Sequence, residues 1–170
     1  MARLVLTDAS PLIGLPRVDG LNWLQALFGV VWMPPEVRAE VLTGQGLPGE
    51  AAIAQAELAG WLRSMEHAPS EPGLPDLDEG EAACIRLALA HTAPHAQGDA
   101  PVLLLMDERA GRQIALEHGL RVAGTAAVIG MARSRGLINS ARAVFSRLHA
   151  SDFRIAPDVI ATVLRRVGER

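Results

Sequence analysis

The sequence predicts an α/β fold, a three-layer α/β/α sandwich built on a central parallel sheet, and three observations lead there. Residues 3–8 and 102–107 each run a short apolar segment into an aspartate. A buried parallel strand has this form when it delivers a carboxylate to the carboxyl edge of a sheet. Short apolar runs alternate with helical patterns along the chain, as expected of strands joined by crossover helices. Finally, 170 residues at 49% hydrophobic are enough for one core, so residues 1–170 read as a single domain without an internal repeat.

The elements follow in order. Residues 3–7 form the first strand, and Ser10-Pro11 reads as a helix start with a hydroxyl cap and proline in the first helical position. Leu21, Leu24, Leu27 and Phe28 recur at helical spacing, and residues 30–33 form a second strand. Pro34-Pro35 opens a helix that runs through Leu42, followed by a Gly/Pro turn and a helix over 50–59. Residues 61–65 fit either a strand or a helix end, and residues 67–76 form a loop rich in proline and glycine. A helix spans Asp78 to His91, and a second loop runs from Thr92 to Ala100. A strand over 102–106 leads into a helix over 108–118 that stops at Gly119. Residues 121–123 are a short strand, and Gly124-Thr125 enters a helix over 126–135. Helices over 140–149 and 157–167 complete the pattern.

Composition narrows the function classes. No apolar run is long enough to span a membrane, and residues 4–6 are too short a run for a secretory signal, so a cytoplasmic location is expected. The single Cys84 lies in the apolar context Ala82-Ala83-Cys84-Ile85 and reads as a small core residue. The net charge of −3 argues against a general polyanion binder. The charge is unevenly divided, however. Residues 1–99 hold 5 Arg and 13 acids, −8, whereas residues 100–170 hold 11 Arg and 6 acids, +5. Such asymmetry fits either a polyanion touching one face or an ordinary solvated surface on carboxyl-terminal helices. Tyrosine is absent and aromatics make up 4% of the chain, so no base-stacking platform is evident.

Four acids stand out by position: Asp8, Glu40, Glu81 and Asp107. Each has a structural alternative. Asp8 can cap the turn before Pro11, and Glu40 can be an exposed helix residue one turn after Glu36. Asp78 and Glu81 have the spacing of a capping box, and Asp107 can cap the helix it precedes. Taken together they fall where a parallel sheet brings residues near one another. Clustered carboxylates without cationic partners repel, and a hard divalent cation such as Mg²⁺ or Mn²⁺ neutralises them with oxygen ligands. Such ions activate water and steady the charge developing on a phosphodiester. Zn²⁺ is not supported, because Cys84 stands alone and the five histidines show no ligand spacing.

At these residues the sequence resembles PIN-domain ribonucleases. Thr7-Asp8-Ala9-Ser10-Pro11-Leu12-Ile13 is similar to their opening motif, and residues 34–41 resemble the helix carrying the second acid. Leu77-Asp78-Glu79-Gly80-Glu81-Ala82 resembles the third-acid segment of one largely uncharacterised branch. Residues 105–112 resemble the fourth-acid segment, and Val122-Ala123-Gly124-Thr125 the strand end that follows. The resemblance runs from the first strand to Gly168-Glu169. It implies a PIN-like sandwich holding Mg²⁺ or Mn²⁺ through Asp8, Glu40, Glu81 and Asp107, with Ser10 and Thr125 supporting these ligands through hydroxyl hydrogen bonds. The branch often has Asp-Asp at the fourth site, whereas this chain has Asp107-Glu108, so either residue can meet the metal. Arg109 and Arg112, within a turn of Asp107, suit phosphate oxygens, or Arg112 holds a neighbouring carboxylate in place.

The resemblance implies a metal-dependent endoribonuclease acting on RNA. Many relatives are VapC-type toxins, inhibited by a small antitoxin and usually dimeric, so an antitoxin and a second copy of the chain are expected partners. A catalytically silent PIN-like module that binds RNA or protein is the alternative. A competing string, Gly44-Gln45-Gly46-Leu47-Pro48-Gly49, fits the G-x-G-x-x-G pattern of dinucleotide-binding folds. Its context does not: a helix rather than a strand precedes it, and Pro48 lacks the amide hydrogen a phosphate cradle uses.

Overall fold

The computed structural model describes residues 4–92 and 102–170. Five strands, β1 (Leu4–Thr7), β2 (Val31–Met33), β3 (Leu62–Ser64), β4 (Val102–Leu105) and β5 (Arg121–Ala123), form one all-parallel sheet in the order β3-β2-β1-β4-β5. Nine helices flank it among the described residues: α1 (Ala9–Gly14), α2 (Trp23–Phe28), α3 (Pro35–Val41), α4 (Glu50–Leu58), α5 (Glu79–Thr92), α6 (Arg109–Glu117), α7 (Thr125–Ser134), α8 (Ala141–Ala150) and α9 (Pro157–Arg166). The expected α/β sandwich is therefore present, and residues 61–65 contain a strand. The loop expected up to Ala100 lies, from residue 93 on, outside the described residues.

The strands are apolar because both faces of the sheet are covered. Val5, Leu6, Val31, Met33, Leu62, Val102, Leu104 and Leu105 are all buried. The chain moves from β1 outward to β2 and β3, then crosses back through α5 to β4 and continues outward to β5. Right-handed crossovers thus place α5 and α6 on one face, and α7 packs with α1 and α2. The reversal falls between β1 and β4, which pair in register from Leu4↔Val102 to Thr7↔Leu105. Asp8 follows β1 directly and Asp107 follows β4 after Met106, so both lie on the carboxyl edge at the point where the connections diverge.

Local details correct one expectation and bear out another. Helix α1 begins at Ala9, not after Ser10. Asp8 occupies the cap position in an extended conformation, and its side chain makes no capping hydrogen bond. Pro11 consequently sits third in the helix, where its missing N–H has no intrahelical acceptor to lose. Cys84 is buried, and its thiol donates to the Thr7 carbonyl at 3.4 Å, in keeping with a core role.

The glycine-rich string is a loop between α3 and α4 that binds an anion of its own. The Glu50 carboxylate accepts hydrogen bonds from the Gly44 amide at 2.5 Å and the Leu47 amide at 2.9 Å, and from the Thr43 hydroxyl. These bonds hold the Glu50 carboxyl below its ordinary range. The preceding element is helical, so the dinucleotide reading fails on the context its fingerprint requires.

Glu169 closes the fold from the far end. Its carboxylate accepts from the Ala141 amide at 2.7 Å and the Arg142 amide at 3.0 Å, at the start of α8. It also accepts from the Ser140 hydroxyl and from Arg133. These donors, the Arg142 amide foremost, lower its pKa to about 2. The contribution to stability is full above the ordinary carboxyl range and is lost as pH falls towards 2. Glu169→Gln should cost about 1 kcal/mol at neutral pH, roughly 3 °C in Tm. Thermal melts from pH 7 downwards should show the wild-type and variant curves converging in acid.

Candidate functional site

Four segments deliver five acids to the carboxyl edge: Asp8 from the end of β1, Glu40 from α3, Asp78 and Glu81 from the start of α5, and Glu108 from the turn before α6. Asp8 and Glu81 form the buried floor, at 3% and 5% exposure. Glu40, Asp78 and Glu108 are exposed around them. Burial raises the Asp8 pKa to about 7, reinforced by the charges of Asp78, Glu81 and Glu40 and opposed by the Ala9 amide. Glu81 is likewise raised, first by burial and then by Asp78, with Glu108 and Glu40 adding to it. Glu40 rises through burial and the Asp78 charge.

The approach of α5 is close. A Cβ at Gly80 would lie 3.2 Å from the Val37 side chain and 3.3 Å from Asp8 Oδ1. Glycine at that position therefore lets the helix start press against α3 and the end of β1. The capping box expected from sequence is formed: the Glu81 amide donates to Asp78 Oδ1 at 2.8 Å, and the Asp78 amide donates to Glu81 Oε2 at 3.3 Å. It uses only one oxygen of Glu81. The other, Oε1, is buried without a hydrogen-bond partner, as is Oε2 of Glu36 in the first turn of α3. An unpaired carboxylate oxygen held away from water is costly, and this orphan lies among acids.

Asp107 is placed differently from the other predicted acids. Its Oδ1 accepts from the Thr125 amide at 2.7 Å, and its Oδ2 from the Thr125 hydroxyl at 2.6 Å. It therefore caps α7, whose own cap residue, Gly124, has no side chain to offer. A Cβ at Gly124 would stand 2.8 Å from Asp107 Oδ1, so glycine is what admits the carboxylate. Burial raises the Asp107 pKa, while the two Thr125 bonds and the Arg112 charge oppose the rise. Arg112 itself donates to the Met106 carbonyl at 3.0 Å.

The edge thus holds two groups of acids. Asp8, Glu40 and Glu81 act on one another together with Asp78, and Glu108 acts on Glu81. Asp107 is tied to Thr125. Of the two hydroxyls expected to support the site, Thr125 holds an acid, whereas Ser10 lies half-buried in the first turn of α1. Arg109 and Arg112 lie in the first two turns of α6 and line a cleft that begins at Asp107. Asp78 joins the cluster although the sequence gave it only a structural role. Its signal was spacing, three residues before Glu81.

The donor set is entirely carboxylate oxygen, which suits a hard cation such as Mg²⁺ or Mn²⁺ rather than a softer metal. The orphaned Oε1 of Glu81, on a carboxylate that feels the charges of Asp78, Glu108 and Glu40, is the observation that fits it. Among the described residues, no three His, Cys, Asp or Glu side chains already stand at ligand distance from one point.

A doubly wound parallel sheet with acids gathered at its switch point defines the class of this domain. The chain belongs to the PIN-domain family: the family model DUF3368, described as a PIN domain, matches residues 4–169. PIN domains are in general nucleases, so the family points to nuclease-type function. Comparison with curated proteins gives no match. No helix among the described residues is long and apolar enough to cross a membrane.

The raised Asp8 pKa carries a stability consequence. The folded chain keeps this proton up to about pH 7, whereas the unfolded chain releases it near the ordinary value. Stability therefore falls between those two pH values as pH rises. Asp8→Asn should raise stability by roughly 2 kcal/mol at pH 8, about 5 °C in Tm. The gain should vanish by about pH 4, which metal-free melts across that range would show.

Proposed function

We propose that the chain is a metal-dependent endoribonuclease that hydrolyses RNA phosphodiester bonds at the carboxyl edge of its sheet. One observation carries the reading: two buried carboxylates, Asp8 and Glu81, stand among further acids, and one of their oxygens is buried without a partner. None of the four ion pairs among the described residues involves either. Asp8, Glu40 and Glu81 would hold Mg²⁺ or Mn²⁺. Asp78 and Glu108 would lie at the rim, and Asp107 would be a fourth acid fixed by Thr125. When bound, such a cation offsets the carboxylate charge and polarises a phosphodiester oxygen.

The protein's own groups do the rest. Free carboxylate oxygens at the rim accept the hydrogens of an incoming water and orient it for in-line attack. Arg109 and Arg112 reach non-bridging phosphate oxygens, where charge-assisted hydrogen bonds hold the scissile group. The VapC-like resemblance adds a toxin role, with a small antitoxin and a second copy of the chain as partners, in the cytoplasm.

A second reading, a module that binds RNA or protein without cutting, is favoured by the spacing of the acids, no three of which converge on one point among the described residues. Titration calorimetry with Mn²⁺ separates the two. The nuclease reading expects binding by the wild-type chain and at least tenfold weaker binding by Asp8→Asn, with Mn²⁺-stimulated RNA cleavage lost and the fold retained. Undiminished cleavage by the folded variant would reject the site, and a wild-type chain without Mn²⁺ affinity would leave the silent module.

A further inference from the structure

The acidic edge described above repels the polyanion that a nuclease must cleave, and the structure supplies a compensating face. A cleft of about 1080 Å³ opens beside Asp107 and Gly124 and runs between α6 and α9. A second cleft, of about 710 Å³, continues along the outer edge of β5 to Arg121 and the end of α7. The two share Ala127, Val163 and Arg166 and so form one continuous channel. Six arginines line it: Arg109, Arg112 and Arg154 in the first cleft, Arg121 and Arg135 in the second, and Arg166 at the junction.

These six account for more than half of the 11 arginines that make residues 100–170 basic. Among the described residues, the acids in the channel wall are Asp107, Glu117 and Asp158. Asp107 is bound to Thr125, and Glu117 accepts from Gln113 at 3.2 Å. Arg109, Arg121, Arg135 and Arg166 are exposed, and none of them belongs to the four ion pairs of the described residues. Four unengaged guanidinium groups are therefore strung from the carboxyl edge, at the start of α6, to the opposite edge of the sheet, where β5 begins and α7 ends.

We infer that this arginine-lined channel binds the backbone of a single-stranded phosphodiester chain and leads it to the acidic edge. The inference rests on the nuclease reading for the direction of travel, though not for the binding itself. Guanidinium groups spaced along a groove match successive phosphates. The apolar floor of Leu116, Ile155, Val159 and Val163 gives sugar and base faces a surface without hydrogen-bond demands. Among the described residues, Phe28 is the only aromatic side chain in the channel wall, so recognition runs through phosphates, with little base stacking and weak sequence preference. A protein partner would instead favour arginines ringed about one apolar pocket, and here they are spread along the whole path.

The test is fluorescence anisotropy of a labelled uridine dodecamer on the full chain in EDTA, between about 50 and 200 mM salt. Two double variants address the two halves, Arg109→Ala with Arg166→Ala and Arg121→Ala with Arg135→Ala. Each should weaken binding at least fivefold at the lower salt. Each should also flatten the log–log salt dependence by about 1.4, the loss of two single-strand phosphate contacts, with Tm and Mn²⁺ affinity unchanged. A deoxythymidine dodecamer run in parallel assigns the contacts: equal losses place them on the phosphates, and losses on uridine alone place them on the ribose. Wild-type binding by both variants overturns the inference, as does a glutamate dodecamer that competes as strongly as the oligonucleotide. A wild-type chain that binds but never cuts would remove the nuclease reading and leave the channel standing.

Discussion

The parallel pairing of β1 with β4 is the contact on which the rest depends. These strands lie far apart in sequence, yet they join in register over four residue pairs and stand at the centre of the sheet. The Asp8 amide extends the ladder by donating to the Leu105 carbonyl at 2.8 Å. Because the chain reverses direction here, the connections leaving β1 and β4 part company and open a crevice above the edge. The start of α5 closes over that crevice, and Glu81 enters it from above. A shift of one residue in this register would turn every buried strand side chain to the opposite face and would separate the acids.

The edge treats its carboxylates in opposite ways. Asp107 has a donor on each oxygen and joins the end of β4 to the start of α7, so its burial is offset in part. Asp8 and Glu81 have burial and acidic neighbours, and Glu81 an orphaned oxygen, which one backbone amide on each offsets only in part. Local rule-breaking of this kind concentrates where function competes with stability. Glu169 shows the contrary pattern at the far end of the domain, where every donor around it favours the ionised form.

Much of the fold was legible in the sequence because buried parallel strands are short apolar runs, and Leu4–Thr7 and Val102–Leu105 are clear examples. Residues 61–65 were ambiguous for a physical reason. Only three of them, Leu62–Ser64, pair, on an edge and through long-range contact with β2, and Arg63 interrupts the apolar run. The position of Asp8 and Asp107 on one edge was readable from the strand endings. The turning of Asp107 towards Thr125 was not, because it depends on the space left by Gly124, 17 positions further along the chain. Asp78 and Glu81 read as a capping box and are one. What spacing cannot show is that the box leaves an oxygen free. Nor could spacing show that Glu50 fills the glycine loop or that Glu169 caps α8, whose first amide lies 28 positions earlier.

A parallel sheet left open at both sides offers rows of unpaired backbone groups that invite another molecule to add a strand, the first step towards fibrils. Here both margins, β3 and β5, are three residues long, and each carries an arginine, Arg63 and Arg121. Short margins with fixed positive charge make stacking of copies edge to edge unfavourable. The sheet can therefore keep a strongly apolar interior without presenting a long, uncharged edge.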